Sequence, residues 1–167
     1  MSNKDLPNGF TPVFDENYYA PHRWGATASQ TIAIGDVVYI TSAGRVSIAV
    51  ENSTASCFLG VAASAVTSAT ADDPIYVWDN PFQTFEGQCS GSGALTDPYT
   101  TNSADAAFDL DGTTGIMEID ENASSQNVFK VVGVGKDPVT GLDSAVGANQ
   151  RLRVRFNLAI HAFGTTA

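Results

Sequence analysis

Hydrophobic and polar positions alternate cleanly along residues 151–161. Leu152, Val154, Phe156, Leu158 and Ile160 fall on one parity, and Arg151, Arg153, Arg155, Asn157, Ala159 and His161 on the other. A period of two predicts a half-buried strand, apolar side on a core and polar side on something wet or charged. Three arginines in a row on the polar side repel one another unless carboxylates answer them, from this chain or from a neighbour. Asp109, Glu118 and Asp120 are the candidates for that role within the chain. Cross-strand opposite charges contribute about 0.2–1 kcal/mol each. His161 closes the polar parity, where a solvated or interface histidine is expected.

The same pattern, in shorter runs, fills the middle of the chain. Thr31–Ile34 reads as a strand before the turn Gly35-Asp36. Val37–Thr41 and Arg45–Val50 flank Ser42-Ala43-Gly44, a hairpin loop with glycine placed for positive φ. Phe58–Ala62 is apolar throughout and reads as a buried strand. Ala63 to Ala71 is a small-residue stretch, either loop or short helix. Pro74–Trp78 is a further strand, and Phe82–Cys89 follows as another. Residues 90–104 form the longest loop-like stretch of the body. Ala107–Leu110 and Ile116–Ile119 read as strands joined through Asp111-Gly112, and Phe129–Gly135 as a central strand. No segment sustains a helical period over three turns, and residues 123–127 hold at most one helical turn. Eight to ten strand candidates separated by turn residues predict an all-β protein, a single β-sandwich or β-barrel domain over residues 31–167.

Residues 1–30 break the pattern. Pro7, Pro12 and Pro21 punctuate them, Asn8-Gly9 signals a turn, and no period holds. Yet the segment carries Phe10, Phe14, Tyr18, Tyr19 and Trp24, and disordered tails are poor in aromatics. It is read as an extended N-terminal arm bound either to its own domain or to a neighbour. The candidate interface therefore comprises Phe10, Phe14, Tyr18, Tyr19 and Trp24 of the arm with Arg151, Arg153 and Arg155 of the last strand. On this reading the body folds without residues 1–24.

Charge narrows the partners. The chain carries a formal net charge of -10 over 167 residues, with a pI near 4.3. Phosphate binding needs a basic footprint, so nucleic acid is not an expected partner. The start of the chain lacks the apolar core of a signal peptide, and no apolar run reaches membrane-spanning length, so no membrane partner is expected and synthesis in a reducing cytoplasm is. Cys57 and Cys89 make neither a disulfide framework nor a zinc site.

No motif in the chain points to a site for chemistry. No serine lies in a Gly-x-Ser-x-Gly elbow. Gly133-Val134-Gly135-Lys136 fails as a phosphate loop: Lys130 stands where the first glycine belongs, Asp137 replaces the hydroxyl residue, and Pro138 discourages the helix that must follow. Asp109, Asp111, Gly112 and Glu118 match part of the spacing of a calcium loop, but Ala107 holds the first ligand position and the flanks read as strands. A hairpin with outward carboxylates explains them without metal. His22, beside Arg23 and Trp24, suits packing or recognition. Neither enzyme activity, catalytic residue, metal nor cofactor is expected.

The chain resembles the head decoration (cement) proteins of tailed bacteriophages. The likeness rests on the arm residues Asn8–Val13, on Gly35–Ile40 through Ser42–Val46 with Phe58–Ala62, on Ile75–Gly87, and on Gly147-Ala148-Asn149 before the closing strand. The resemblance implies a structural virion protein, made in the bacterial host cytoplasm, that binds the outer capsid surface and stabilises the shell. Its implied partners are the major capsid protein and itself, as a homotrimer. Two alternatives stay open: another virion component (fibre, head-tail or shell accessory protein), or a β-sandwich carbohydrate-binding module using Trp24, Trp78, Tyr76 and Tyr99.

Overall fold

The structure, a computed structural model, describes residues 3, 5–15, 18–50, 57–91, 107–121 and 126–163. Within them the chain is all-β, without helices, and its sheets pack as a sandwich. In chain order the strands are β1 (Thr11–Pro12), β2 (His22–Gly25), β3 (Gln30–Ile32), β4 (Val37–Ile40), β5 (Val46–Ile48), β6 (Phe58–Ala62), β7 (Val66–Ser68), β8 (Pro74–Trp78), β9 (Phe85–Gln88), β10 (Ala107–Asp111), β11 (Glu118–Asp120), β12 (Phe129–Val134) and β13 (Arg151–Phe156). One sheet runs β1-β9-β13-β12-β10-β11, a second runs β2-β8-β6-β4-β5, and β3 pairs with β7 as a separate ribbon. All named strand pairs are antiparallel. The larger sheet curls, so that Ile119 of β11 bridges Cys89 just beyond β9.

Two apolar clusters explain why the second sheet reads so differently from the first. Between the sheets lie Phe58, Val61 and Val37 from one side and Phe85, Phe129, Leu152, Val154 and Phe156 from the other. On the far face of the second sheet, Leu59, Ala62, Ile75 and Val77 pack with Ile32 and Val66 of the ribbon. β6 is thus covered on both faces, which is what its unbroken apolar run requires. A register shift between Val38 and Tyr39 of β4, opposite β6, puts Phe58 and Val61 on one side and Leu59 and Ala62 on the other. β7 lies in the stretch read as loop or short helix; at three residues it is too short to display a period, and its pairing with β3 creates it.

The long alternation of residues 151–161 holds only to Phe156. Leu152, Val154 and Phe156 point into the inter-sheet core as expected. At Asn157 the chain turns: its carbonyl accepts the N–H groups of Ile160 and His161, and its side chain accepts that of Ala159. The turn resets the parity. His161 therefore swings inward, 5% exposed, and bridges Phe58, which corrects the expectation of a solvated or interface histidine.

The N-terminal segment is sewn into both sheets. Gly9 takes a φ of 71° as the chain crosses Gly35, where a Cβ would meet the Gly35 carbonyl at 2.7 Å. Phe10 N–H then donates to that carbonyl, and the Phe10 ring enters the core. β1 lies along β9, and the Gln83 side chain accepts Tyr19 N–H while donating to Val13 O. β2 completes the edge of the second sheet against β8. Residues 1–24 thus contribute a core aromatic and most of two edge strands.

Candidate contact surface

The three arginines of β13 do three different things. Arg151 is buried, and its guanidinium donates to Leu6 O at 3.0 Å and Asn8 Oδ1 at 3.4 Å, holding the N-terminal segment down. Arg153 lies 3.9 Å from Glu86 on neighbouring β9. Arg155 donates to Thr84 Oγ1 at 3.1 Å, has no carboxylate partner among the described residues, and stands opposite Lys130 of β12. The carboxylates expected to answer them are elsewhere. Asp109 and Asp120 face each other across the β10–β11 hairpin, and β12 separates that hairpin from β13. Asp109 is occupied by the N–H groups of Gln126 and Asn127.

Glu118 joins a different group. Gln88 Nε2 donates to Glu118 at 2.8 Å and to Asp5 at 2.9 Å, while Gln88 Oε1 accepts Leu6 N–H. Burial, with Asp5, Asp111 and Glu121 nearby, pushes the Glu118 carboxyl up to about 7. Cys89 is buried beside the same acids, and its thiol is raised far above its usual range, the reverse of what a nucleophile needs. Among the described residues no group of three or more His, Cys, Asp or Glu side chains could hold a metal, and no helix is long and apolar enough to cross a membrane.

The arm aromatics divide. Phe10 is 2% exposed and stacked on Phe129, so it has no surface to offer a partner. Trp24 donates its indole N–H to buried Asp79, whose other oxygen binds His22 Nδ1 at 2.7 Å. Of the rings considered for stacking on sugars, Trp78 packs on the core, Tyr76 is exposed, and Tyr99 lies outside the described residues. Phe14, Tyr18 and Tyr19 remain exposed; the Phe14 and Tyr18 rings are 4.5 Å apart.

Sequence reasoning missed an apolar display on the β12–β13 connection. Val139, Leu142 and Val146 are all exposed there, Leu142 at 67%. The loop is nonetheless fixed. Asp137 Oδ1 accepts the N–H groups of Val139 and Thr140, Lys136 pairs with Asp143, and Asp137 and Leu142 share a backbone bond of 2.8 Å. Asn3 of the N-terminal segment clamps it from one side, donating to Ala145 O and Ala148 O and accepting from Ser144 and Ala145. The available signal was three aliphatics without any period in an otherwise Gly- and Asp-rich connection. A loop that lifts aliphatics into water and is held rigid by its own polar groups loses little entropy when a partner covers it.

Comparison of the chain with protein-family models and with curated proteins finds no match to either.

Proposed function

We propose that this is a structural virion protein that binds the outer surface of a bacteriophage capsid and stabilises the shell, without catalysis. The observation that carries the reading is the pre-ordered β12–β13 loop, with Val139, Leu142 and Val146 raised from an acidic body. Scattered exposed aliphatics need no explanation, but three on one clamped loop make a contact element. The resemblance to head decoration proteins supplies the partner, the major capsid protein, and the place, the virion surface. Repetition over a symmetric shell turns individually weak contacts into secure decoration. A fibre, head-tail or shell accessory role would use the same loop at lower copy number.

The test is cosedimentation with shells that lack the protein. The parent should saturate them, and Val139→Asp with Leu142→Asp should abolish binding while the melting temperature holds. Undiminished decoration by that variant would remove the loop from the interface, and failure of the parent to bind any shell would end the reading.

A further inference from the structure

A cleft at the edge of the second sheet carries an inference that does not depend on capsid binding. Its volume is about 450 Å³, inside the usual range of small-molecule sites. His22, Arg23 and Trp24 of β2 wall it on one side, Asp79 and Asn80 just beyond β8 on another, and Phe163 completes it. β2 is the outer strand of that sheet.

One buried carboxylate fixes two of these walls. Asp79 is 5% exposed, and its two oxygens are divided between His22 Nδ1 and the Trp24 indole N–H at 3.0 Å. Desolvating a carboxylate is costly, and both compensating bonds go to rings that line the cleft. Because a carboxylate accepts, Nδ1 carries the proton, and Nε2 of the neutral ring keeps its lone pair. Nε2 makes no bond to any described residue, and neither does the Arg23 guanidinium or Asn80 Nδ2. The aromatic wall is a pair: the half-buried Trp24 ring and the exposed Phe163 ring have centroids 6.1 Å apart and planes 32° apart.

The chemistry of these walls selects the ligand. A wholly apolar guest would strip water from imidazole, guanidinium and amide without giving them partners. A phosphate would meet the Asp79 carboxylate in a chain of net charge -10. A metal ion would find only His22 and Asp79 as donors of the usual kind here, and no group of three such donors occurs among the described residues. A pyranose ring meets every condition: its C–H face lies on aromatic rings, and its hydroxyls both donate and accept.

We propose that this cleft binds an uncharged saccharide, one ring lying on Trp24 and Phe163 with its hydroxyls on His22 Nε2, Arg23 and Asn80. Asp79 is a positioning residue that acts through His22 and Trp24. Of the described rings considered for stacking on sugars, Trp24 lines this cleft, and Trp78 and Tyr76 do not.

The test is saturation-transfer NMR of the full chain, without capsids, and its failure leaves the shell-binding reading untouched. The probes are the methyl glycosides and disaccharides of glucose, galactose, mannose and N-acetylglucosamine. At least one should bind, and its titration should change the protein's tryptophan fluorescence, a change that Trp24→Phe abolishes although Trp78 remains. Phe163→Ser and His22→Ala, both at exposed positions, should each weaken binding by at least about tenfold. Asp79→Asn should weaken it too and shift the His22 ring nitrogens toward the other tautomer, which a merely structural role would not do. If that variant fails to fold, the Phe163 and His22 variants decide by themselves. Val139→Asp with Leu142→Asp should bind sugar as the parent does. No binding by any of these sugars, binding confined to methyl glucuronide or sialic acid, or an affinity indifferent to Phe163→Ser and His22→Ala would overturn the proposal.

Discussion

The ring of Phe10 stacks on that of Phe129 with centroids 4.8 Å apart, and it does so over Gly87 of β9. A Cβ on Gly87 would meet the Phe10 ring at 2.6 Å, so the glycine leaves the space that the ring fills. A residue from a segment without strand or helix period is therefore part of the inter-sheet core. Phe10→Ala should cost about 3–5 kcal/mol, the range for deleting a buried aromatic. Urea denaturation measures it. A cost below about 1 kcal/mol would return Phe10 to the surface, since exposed positions change stability by only a few tenths.

Gly60 makes a sharper backbone prediction. It sits within β6 where the register against β4 shifts, and a Cβ there would lie 2.0 Å from the Trp78 carbonyl oxygen. No rotamer relieves a clash between Cβ and backbone. Gly60→Ala should therefore part β6 from β8 and cost more than about 3 kcal/mol, against roughly 1 kcal/mol gained by the same change in an unstrained strand. Soluble, cooperatively folding Gly60→Ala protein with an unchanged urea midpoint would contradict the close approach.

What could be read in advance follows from what each residue answers to. β4, β5, β6, β8 and the start of β13 were legible because their side chains answer to a core, which imposes a period of two or an unbroken apolar run; β12 was legible from its β-branched apolar run, although Val132 is exposed. The turns at Gly44 and Gly112 were legible because positive φ selects glycine. The end of β13 was not, since Asn157 imposes its turn through hydrogen bonds that leave no mark on hydrophobicity. The place of the N-terminal segment was open for a similar reason: Gln83, Gln88 and Arg151 hold it by polar contacts between residues 64, 82 and 145 positions apart in sequence. Of the candidate interface, Phe14, Tyr18, Tyr19 and Arg155 reach the surface, whereas Phe10 and Arg151 are turned to internal work. The loop aliphatics Val139, Leu142 and Val146 went unseen because exposed apolar residues in a connection obey no period.

Glu118 sets a pH dependence at the clasp of Gln88 with Asp5. Its folded pKa, raised from 4.5 to about 7, means that the folded state holds the proton more tightly than the unfolded chain. The stabilisation is full below pH 4.5 and is lost as pH rises through 7. Glu118→Gln should leave stability unchanged near the lower value and raise it by about 1 kcal/mol above the upper one, after discounting for partial exposure. Urea midpoints at the two ends of the range test this. An equal effect at both ends would mean that the substitution acts through packing alone.

His161 works in the opposite direction over an overlapping range. Burial lowers its pKa from 6.5 to about 4, partly opposed by the Leu59 backbone and Asp79, so the folded state keeps the ring neutral while the unfolded chain protonates it. Stability from this group is complete above pH 6.5 and falls as pH drops toward 4. His161→Phe keeps a ring against Phe156 and releases the half-buried Phe163 N–H that Nδ1 accepts. The variant should lose about 2 kcal/mol less than the parent across that descent. Because Glu118 gains stability over much of the same descent, the parent's own pH profile should be shallow. Glu118→Gln alone should then expose a steep acid loss, and the double variant should be flat again. A parent and Glu118→Gln variant with superimposable profiles would show that the two titrations do not oppose each other in this fold.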